Sequence, residues 1–232
     1  MEKILIIGAS GHAKVIIETI ELNDNYEIHG LIDTFKPKGS KLLRYEVLGK
    51  EEDILSLMKQ GVRKGVIAIG DNWVRYQMYL KIKAIAPDFE FITVIHPSVV
   101  ISPSVMMGEG TVVLASVTIN AEAQVGDFCI LNTGVNLGHD SIMKEFSSLA
   151  PGATIGGNVY IGKGTAISLG ANIIQGIMIG EYSVVGAGSV IVNNINDYKL
   201  AYGVPAREIR TVKKGERYLS GLWGRDKNKN NE

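Results

Sequence analysis

The chain has 232 residues, enough for one large or two small domains. Its 24 basic and 24 acidic residues cancel, which gives no support for a nucleic-acid or polyanion partner. The single cysteine, Cys129, rules out an internal disulfide and suits a reducing cytoplasm, and no apolar run reaches the ~18 residues that a membrane span needs.

The start, MEKILIIG, lacks the basic region, long apolar run and cleavage site of a signal peptide, and reads as a buried strand. Lys3–Ile7 is that strand, closed by Gly8-Ala9-Ser10-Gly11. His12–Leu22 has helical spacing, with Val15, Ile16, Ile17 and Ile20 apolar. Tyr26–Ile32 is a second strand ending at Asp33, and Glu51–Gln60 is a helix stopped by Gly61. Gly65–Ile69 is a third strand, followed by Gly70-Asp71-Asn72 and a helix over Trp73–Ala86. Strands alternating with helices predict a small parallel α/β sheet, Rossmann-like, over residues 1–94.

From Ile95 to Ile191 every sixth residue is aliphatic, 17 positions out of 17. About a third of residues in an average chain are Ile, Leu, Val or Met, so chance gives such a run roughly once in 10⁸ trials. A period of six fits neither strand alternation nor a helix. It fits a chain that turns a corner every six residues, the hexapeptide repeat of a parallel β-helix. A second inward column, four residues after the first, is small or β-branched, and Cys129 and Ser141 in it read as packing. Glycine follows the aliphatic residue at Gly108, Gly126, Gly138, Gly156, Gly162, Gly180 and Gly186, which predicts left-handed backbone at those corners. The repeat stops after Ile195. Tyr202–Arg207 reads as a turn, Glu208–Leu222 as a short helix, and Arg225–Glu232 as disordered. This divides the chain into an α/β domain (1–94), an all-β prism (95–210) and a tail (211–232).

The chain has four histidines: His12, His29, His96 and His139. His139 follows Gly138 at a prism corner, where small residues are expected, and Asp140 is beside it. A neutral imidazole accepts a proton near pH 7, and an adjacent carboxylate fixes its tautomer, so His139 with Asp140 is a candidate general base. A solvated surface histidine fits the pattern equally. A lone outward histidine is not a complete site, whereas three prisms side by side would form grooves in which His139 of one subunit meets turn amides of the next. A zinc site needs three converging histidines and the prism offers two, so no metal is expected.

The unbroken hexads, Asn132-Thr133 through His139-Asp140, Ala150-Pro151-Gly152-Ala153 and Gly203-Val204-Pro205-Ala206-Arg207 resemble the bacterial hexapeptide acyltransferases. With Ile7-Gly8-Ala9-Ser10-Gly11-His12-Ala13-Lys14-Val15, the chain is similar over residues 3–210 to the sialic-acid O-acetyltransferase-like sugar acetyltransferases, which include N-acetyltransferases of nucleotide-linked 4-amino-4,6-dideoxysugars. The resemblance implies a left-handed β-helix, a homotrimer, acetyl-CoA as acyl donor, and a nucleotide-linked amino sugar held by the N-terminal domain. It makes His139 the general base, Asp140 its support and the Gly157 amide an oxyanion donor. Some relatives carry a second histidine nine residues after the first; here that position is Ser148, which can donate a hydrogen bond but cannot act as a base. The CoA arm would meet Ser148, Gly157, Leu169, Gly170 and Ala187, with Arg207 near a phosphate.

For the nucleotide sugar, Ser10, Gly11 and His12 open a helix whose amides would cradle phosphates, although Ser10 and Ala13 break the dinucleotide fingerprint. Asp33, Thr34 and Lys36 would face the nucleotide, and Gly70, Asn72 and Arg75 would complete the rim. Singly, the glycines read as tight turns. The expected activity is N-acetylation of a sugar 4-amino group for surface glycan synthesis. Alternatives on the same scaffold are O-acetylation of a sugar or sialic acid, and non-catalytic nucleotide-sugar binding.

Overall fold

A computed structural model describes residues 1–23 and 25–219. The N-terminal part runs β1 (Glu2–Ile7), α1 (Gly11–Glu21), β2 (Tyr26–Ile32), β3 (Lys41–Leu42), β4 (Tyr45–Gly49), α2 (Ile54–Lys59), β5 (Lys64–Ile67), α3 (Asn72–Ile85) and β6 (Glu90–Phe91). The strands form one sheet in the order β3-β4-β2-β1-β5-β6, parallel except for the β3–β4 hairpin. That hairpin is absent from the sequence reading. Its segment is rich in Lys, Pro and Gly, and its turn lacks the usual Asn-Gly signal and sets Leu43 in left-handed backbone instead. The helix expected from Glu51 opens as a 3-10 turn, Glu51–Asp53, whose Asp53 carboxylate accepts the Lys50 amide at 2.9 Å.

The repeat is a prism of two-residue strands, β7 (Val94–Ile95) to β23 (Val190–Ile191), each ending on the aliphatic column. Each strand pairs in parallel with the one three hexads on, as Val112↔Ile130 and Ile119↔Leu137 do, and this builds three faces. The column is buried from Val113 onward. In the first coil Ile95, Ile101 and Met107 remain partly exposed, because no coil lies beneath them.

Hydroxyls in the second inward column are satisfied across coils. Thr111 Oγ1 donates to Gly126 O and accepts the Cys129 amide, and Ser141 Oγ donates to Gly156 O and accepts the Val159 amide. Cys129 is buried as packing, and burial pushes its thiol up to about 11.

The corner glycines behave differently from expectation. Left-handed backbone falls two residues later, at Gly110, Ser116, Glu122, Phe128, Gly134, Asp140, Phe146 and onward to Gly188. Gly126, Gly138, Gly156 and Gly162 are glycine because the next coil stacks directly on them. A Cβ on Gly126 would stand 2.8 Å from the Glu145 nitrogen, and one on Gly162 would stand 2.6 Å from the Glu181 nitrogen. Close approach of backbone, rather than torsional freedom, selects these residues.

The aromatic residues at one row of corners join the two parts of the chain. Phe128 and Phe146 stack with ring centroids 4.9 Å apart, and Tyr76 and Tyr79 of α3 pack on them. The face that carries β7, β10 (Val112–Val113) and β13 (Ile130–Leu131) is buried against β1 and α1 through Val94, Val112 and Ile130. No helix forms in the described part of Glu208–Leu222: Glu208–Thr211 belongs to β25 (Ala206–Thr211), which pairs with β24 (Lys199–Gly203) in an antiparallel hairpin that adds to the edge of this same face. Exposed ladder hydrogen-bond groups on the last coil are a stronger constraint than local helical spacing. Residues 220–222 of that segment and the Arg225–Glu232 stretch lie outside the described residues. Among the described residues no helix is long and apolar enough to cross a membrane.

Candidate active site

Beyond the part of this face that the sheet domain covers, a groove of about 910 Å³ opens between the two parts of the chain. His12 in the first turn of α1, Gly70 after β5, Ser148 and the corner residues Leu169 and Ala187 line it, and the Tyr202–Val204 turn closes one end. Five expected site residues therefore share one cavity. Gly170 adjoins it in a left-handed corner whose amide donates to Pro151 O at 3.0 Å. Arg207 lies in the closing hairpin opposite Tyr202, exposed, with its guanidinium on its own neighbour's carbonyl.

The three loop glycines separate into two kinds. Gly8 has φ of +106° and its amide donates to Ile32 O at 2.7 Å, so it serves the turn. Gly11 has no such need, because a Cβ there would meet nothing within 4 Å. Gly70 is equally unconstrained, its nearest neighbour being the end of Leu219 at 3.5 Å. Open space at the mouth of a helix N-terminus is room for a ligand. Ser10 occupies the cap position in extended backbone without using its hydroxyl to cap.

His12 has a buried Nε2 with no hydrogen-bond partner among the described residues. Burial, then the nearby Arg75 charge, lowers its pKa from 6.5 to about 4. The ring is thus neutral in the folded protein at neutral pH.

Several expected substrate contacts are engaged elsewhere. Arg75 is 1% exposed: Nε donates to Phe128 O at 2.9 Å, Nη1 to Ile69 O and Gly70 O, and Nη2 to Asn72 Oδ1 at 2.7 Å and Phe146 O at 3.1 Å. The Asn72 amide group donates in turn to Gly164 O and Thr165 O. Both residues clamp the sheet domain to the prism and are not a rim open to substrate. Thr34 donates its hydroxyl to Glu51, a fully buried carboxylate that also pairs with Lys81 at 2.8 Å. Asp33 spends both oxygens on the loops, accepting from Ala9 N at 2.7 Å and from Phe35 N and Lys36 N at 2.9 Å. It orders the loops after β1 and β2 from within. The sequence reading missed Phe35, which is 92% exposed beside Asp33 and has no packing role; its signal was a lone aromatic in a Lys-Pro-Gly loop.

His139 lies on a different corner, which leaves the second face rather than the grooved one. Its Nδ1 is 2.6 Å from Asp140 Oδ2, and both side chains are more than half exposed. Asp140 reaches back because its own backbone is left-handed, with φ of 57°. The imidazole lies over Gly157 of the next coil, where a Cβ would come within 2.6 Å of Cε1. The Gly157 amide donates to no group among the described residues. The imidazole, its partner carboxylate and the Gly157 N–H thus share one corner, while Ser148, Leu169 and Ala187 lie together at another.

Two outcomes follow from this geometry. Between pH 6.5 and 4 the unfolded chain binds a proton at His12 that the folded chain refuses, so stability is full above 6.5 and falls as pH drops toward 4. The melting temperature should decline across that window, and His12→Gln should flatten its share of the decline. Replacing Arg75 by Met strands several buried carbonyls and should cost about 2–4 kcal/mol in urea unfolding, with Arg75→Lys losing less.

Residues 3–82 match the family described as the PglD N-terminal domain. A histidine variant of perosamine N-acetyltransferase from Caulobacter crescentus, solved with CoA and GDP-perosamine, is 35% identical over 90% of this chain and 98% of that one, with a TM-score of 0.86. The acetyltransferase domain of PglB from Neisseria gonorrhoeae, solved with acetyl coenzyme A, is 31% identical over 90% of this chain and 99% of that one, with a TM-score of 0.81. The UDP-N-acetylbacillosamine N-acetyltransferase of Bacillus subtilis is 35% identical over 127 residues, and the match spans about half of that curated relative, 52% of its length. With its α/β domain on a left-handed β-helix and near full-length likeness to the Caulobacter and Neisseria acetyltransferases, the chain belongs to the hexapeptide-repeat sugar N-acetyltransferases.

Proposed function

We propose that this protein transfers the acetyl group of acetyl-CoA to the 4-amino group of a nucleotide-linked 4-amino-4,6-dideoxysugar, in the cytoplasm, for surface glycan synthesis. The observation that carries the reading is the His139–Asp140 pair over the free Gly157 amide, together with the groove that ends at the α1 N-terminus. In the Caulobacter perosamine N-acetyltransferase, CoA and GDP-perosamine are bound together, and one histidine is replaced in two of its three structures.

Asp140 holds the proton on Nδ1 and leaves the Nε2 lone pair outward. The sugar amine attacks the thioester carbon, and Nε2 takes the proton that the nitrogen sheds. The Gly157 N–H stabilises the oxyanion. Collapse breaks the C–S bond, and the imidazolium returns its proton to the CoA thiolate, giving amide and free thiol. The residues 1–94 hold the nucleotide sugar, with Ser10, Gly11 and His12 around the phosphates and the exposed Phe35 ring offering a face to the base. The CoA arm runs past Leu169, Gly170 and Ala187 toward Arg207, whose exposed guanidinium suits a phosphate.

His139 and the groove are on separate corners of one prism, so the reading includes a homotrimer in which the groove of one copy meets His139 of the next. The grooved face is already covered in part by the chain's own sheet domain, which leaves the other two faces for this contact.

The test is thiol release from acetyl-CoA with UDP-, dTDP- and GDP-linked 4-amino-6-deoxysugars. One amino sugar should turn over, and His139→Ala should lower kcat by about 10²–10⁴-fold while the oligomer persists. Turnover on hydroxyl sugars alone would move the assignment to O-acetylation. Turnover unaffected by His139→Ala would remove the proposed base.

A further inference from the structure

The segment after β25 crosses back over the prism and becomes part of the groove wall. Val212 packs with Ala166, Val184 and Leu200, and Lys214 lies over the rings of Trp73 and Tyr182, 5.5 and 5.1 Å from their centroids. Gly215, with φ of +81°, lets the chain pass Trp73, where a Cβ would stand 2.8 Å from the indole nitrogen. The segment then places Tyr218 in the wall at the junction of three elements. Its hydroxyl accepts the backbone N–H of Asn72 at 3.2 Å, and lies 3.4 Å from both Gly70 O and Ser148 Oγ. Ser148 itself is 7% exposed, on a face where the outward residues of the neighbouring strands, Val112, Ile130, Ala166 and Val184, are apolar.

A hydroxyl pair at the end of an apolar groove has no packing reason to be there. The Asn72 amide fills one acceptor site of the phenol and strengthens it as a donor. Its hydrogen is within reach of both the Gly70 carbonyl and Ser148 Oγ, 3.4 Å away in each case. When it turns to Ser148, the serine hydrogen is free to point into the groove.

We propose that Tyr218 is a positioning residue for acyl transfer: it orients the Ser148 hydroxyl as a hydrogen-bond donor to the acetyl thioester oxygen, supplementing the Gly157 amide. This rests on the acyl-transfer reading above. It gives the C-terminal segment a part in the reaction and gives Ser148 a donor's function that needs no second imidazole. Burial raises the Tyr218 pKa, so the phenol keeps its proton at neutral pH.

The test is a double-variant cycle on Tyr218→Phe and Ser148→Ala, with kcat and the KM for acetyl-CoA measured beside the wild type. Tyr218→Phe keeps the ring, and thermal melting checks that the wall is intact. Each single change should lower kcat about five- to tenfold with the KM for acetyl-CoA nearly unchanged, as for one lost hydrogen bond in the transition state. The double variant should be no slower than the slower single variant, and Ser148→Thr should keep most activity. Unchanged kcat in Tyr218→Phe, a rise in KM alone, or multiplying effects in the double variant would each overturn the proposal. If the wild type itself fails to release thiol with any sugar, the acyl-transfer reading falls first and this inference with it.

Discussion

The buried guanidinium of Arg75 is the contact on which the arrangement of the rest depends. Among the described residues no carboxylate touches it, and it instead gathers carbonyls from both parts of the chain: Ile69 and Gly70 on one side, Phe128 and Phe146 on the other. Burial pushes its pKa down, yet an arginine starts high enough to keep its charge. A desolvated cation is tolerated only where several oxygens face it, so the site admits one relative placement of sheet domain and prism. That placement sets the Gly70 loop opposite Ser148 and so creates the groove.

The prism contributes regular spacing of another kind. Each hexad turns a corner, and successive corners carry different jobs. One row holds the aromatic ladder Phe128, Phe146 and Tyr182 against α3. The next holds Leu169 and Ala187 beside the groove, and the third holds His139 over Gly157. Aromatic residues at left-handed corners are uncommon because the backbone there favours glycine. Here ring stacking and contact with α3 offset that cost. Stacked glycines such as Gly138 let neighbouring coils approach closely enough to keep the corners in line.

Much of this was legible in the sequence because it is periodic. The hexads located every strand of the prism, and the βα alternation located β1, α1, β2 and α3 to within about two residues. The His139–Asp140 pair stood out because a bulky ring at a corner breaks the pattern. What was not legible depends on contacts distant in sequence. Arg75 and Asn72 look like rim residues beside Gly70, and only the carbonyls of residues 128, 146, 164 and 165 reveal them as a clamp. Asp33 reads as facing the nucleotide, and only the amides of Ala9, Phe35 and Lys36 reveal that it also orders the loops around it. The strap ending at Tyr218 has no local signal, since its position is fixed by Trp73, Tyr182 and the prism face.

The central claim is that the base and the acyl-donor groove of one active site come from different copies of the chain. Co-expression of two inactive variants tests this most directly: His139→Ala, which lacks the base, and Ala187→Trp, which fills the exposed corner of the groove. Shared sites predict that mixed oligomers recover about a quarter of wild-type thiol release on random assembly, from interfaces that pair the two intact halves. Mixed oligomers as inactive as either parent would contradict the account and place the whole site within a single chain.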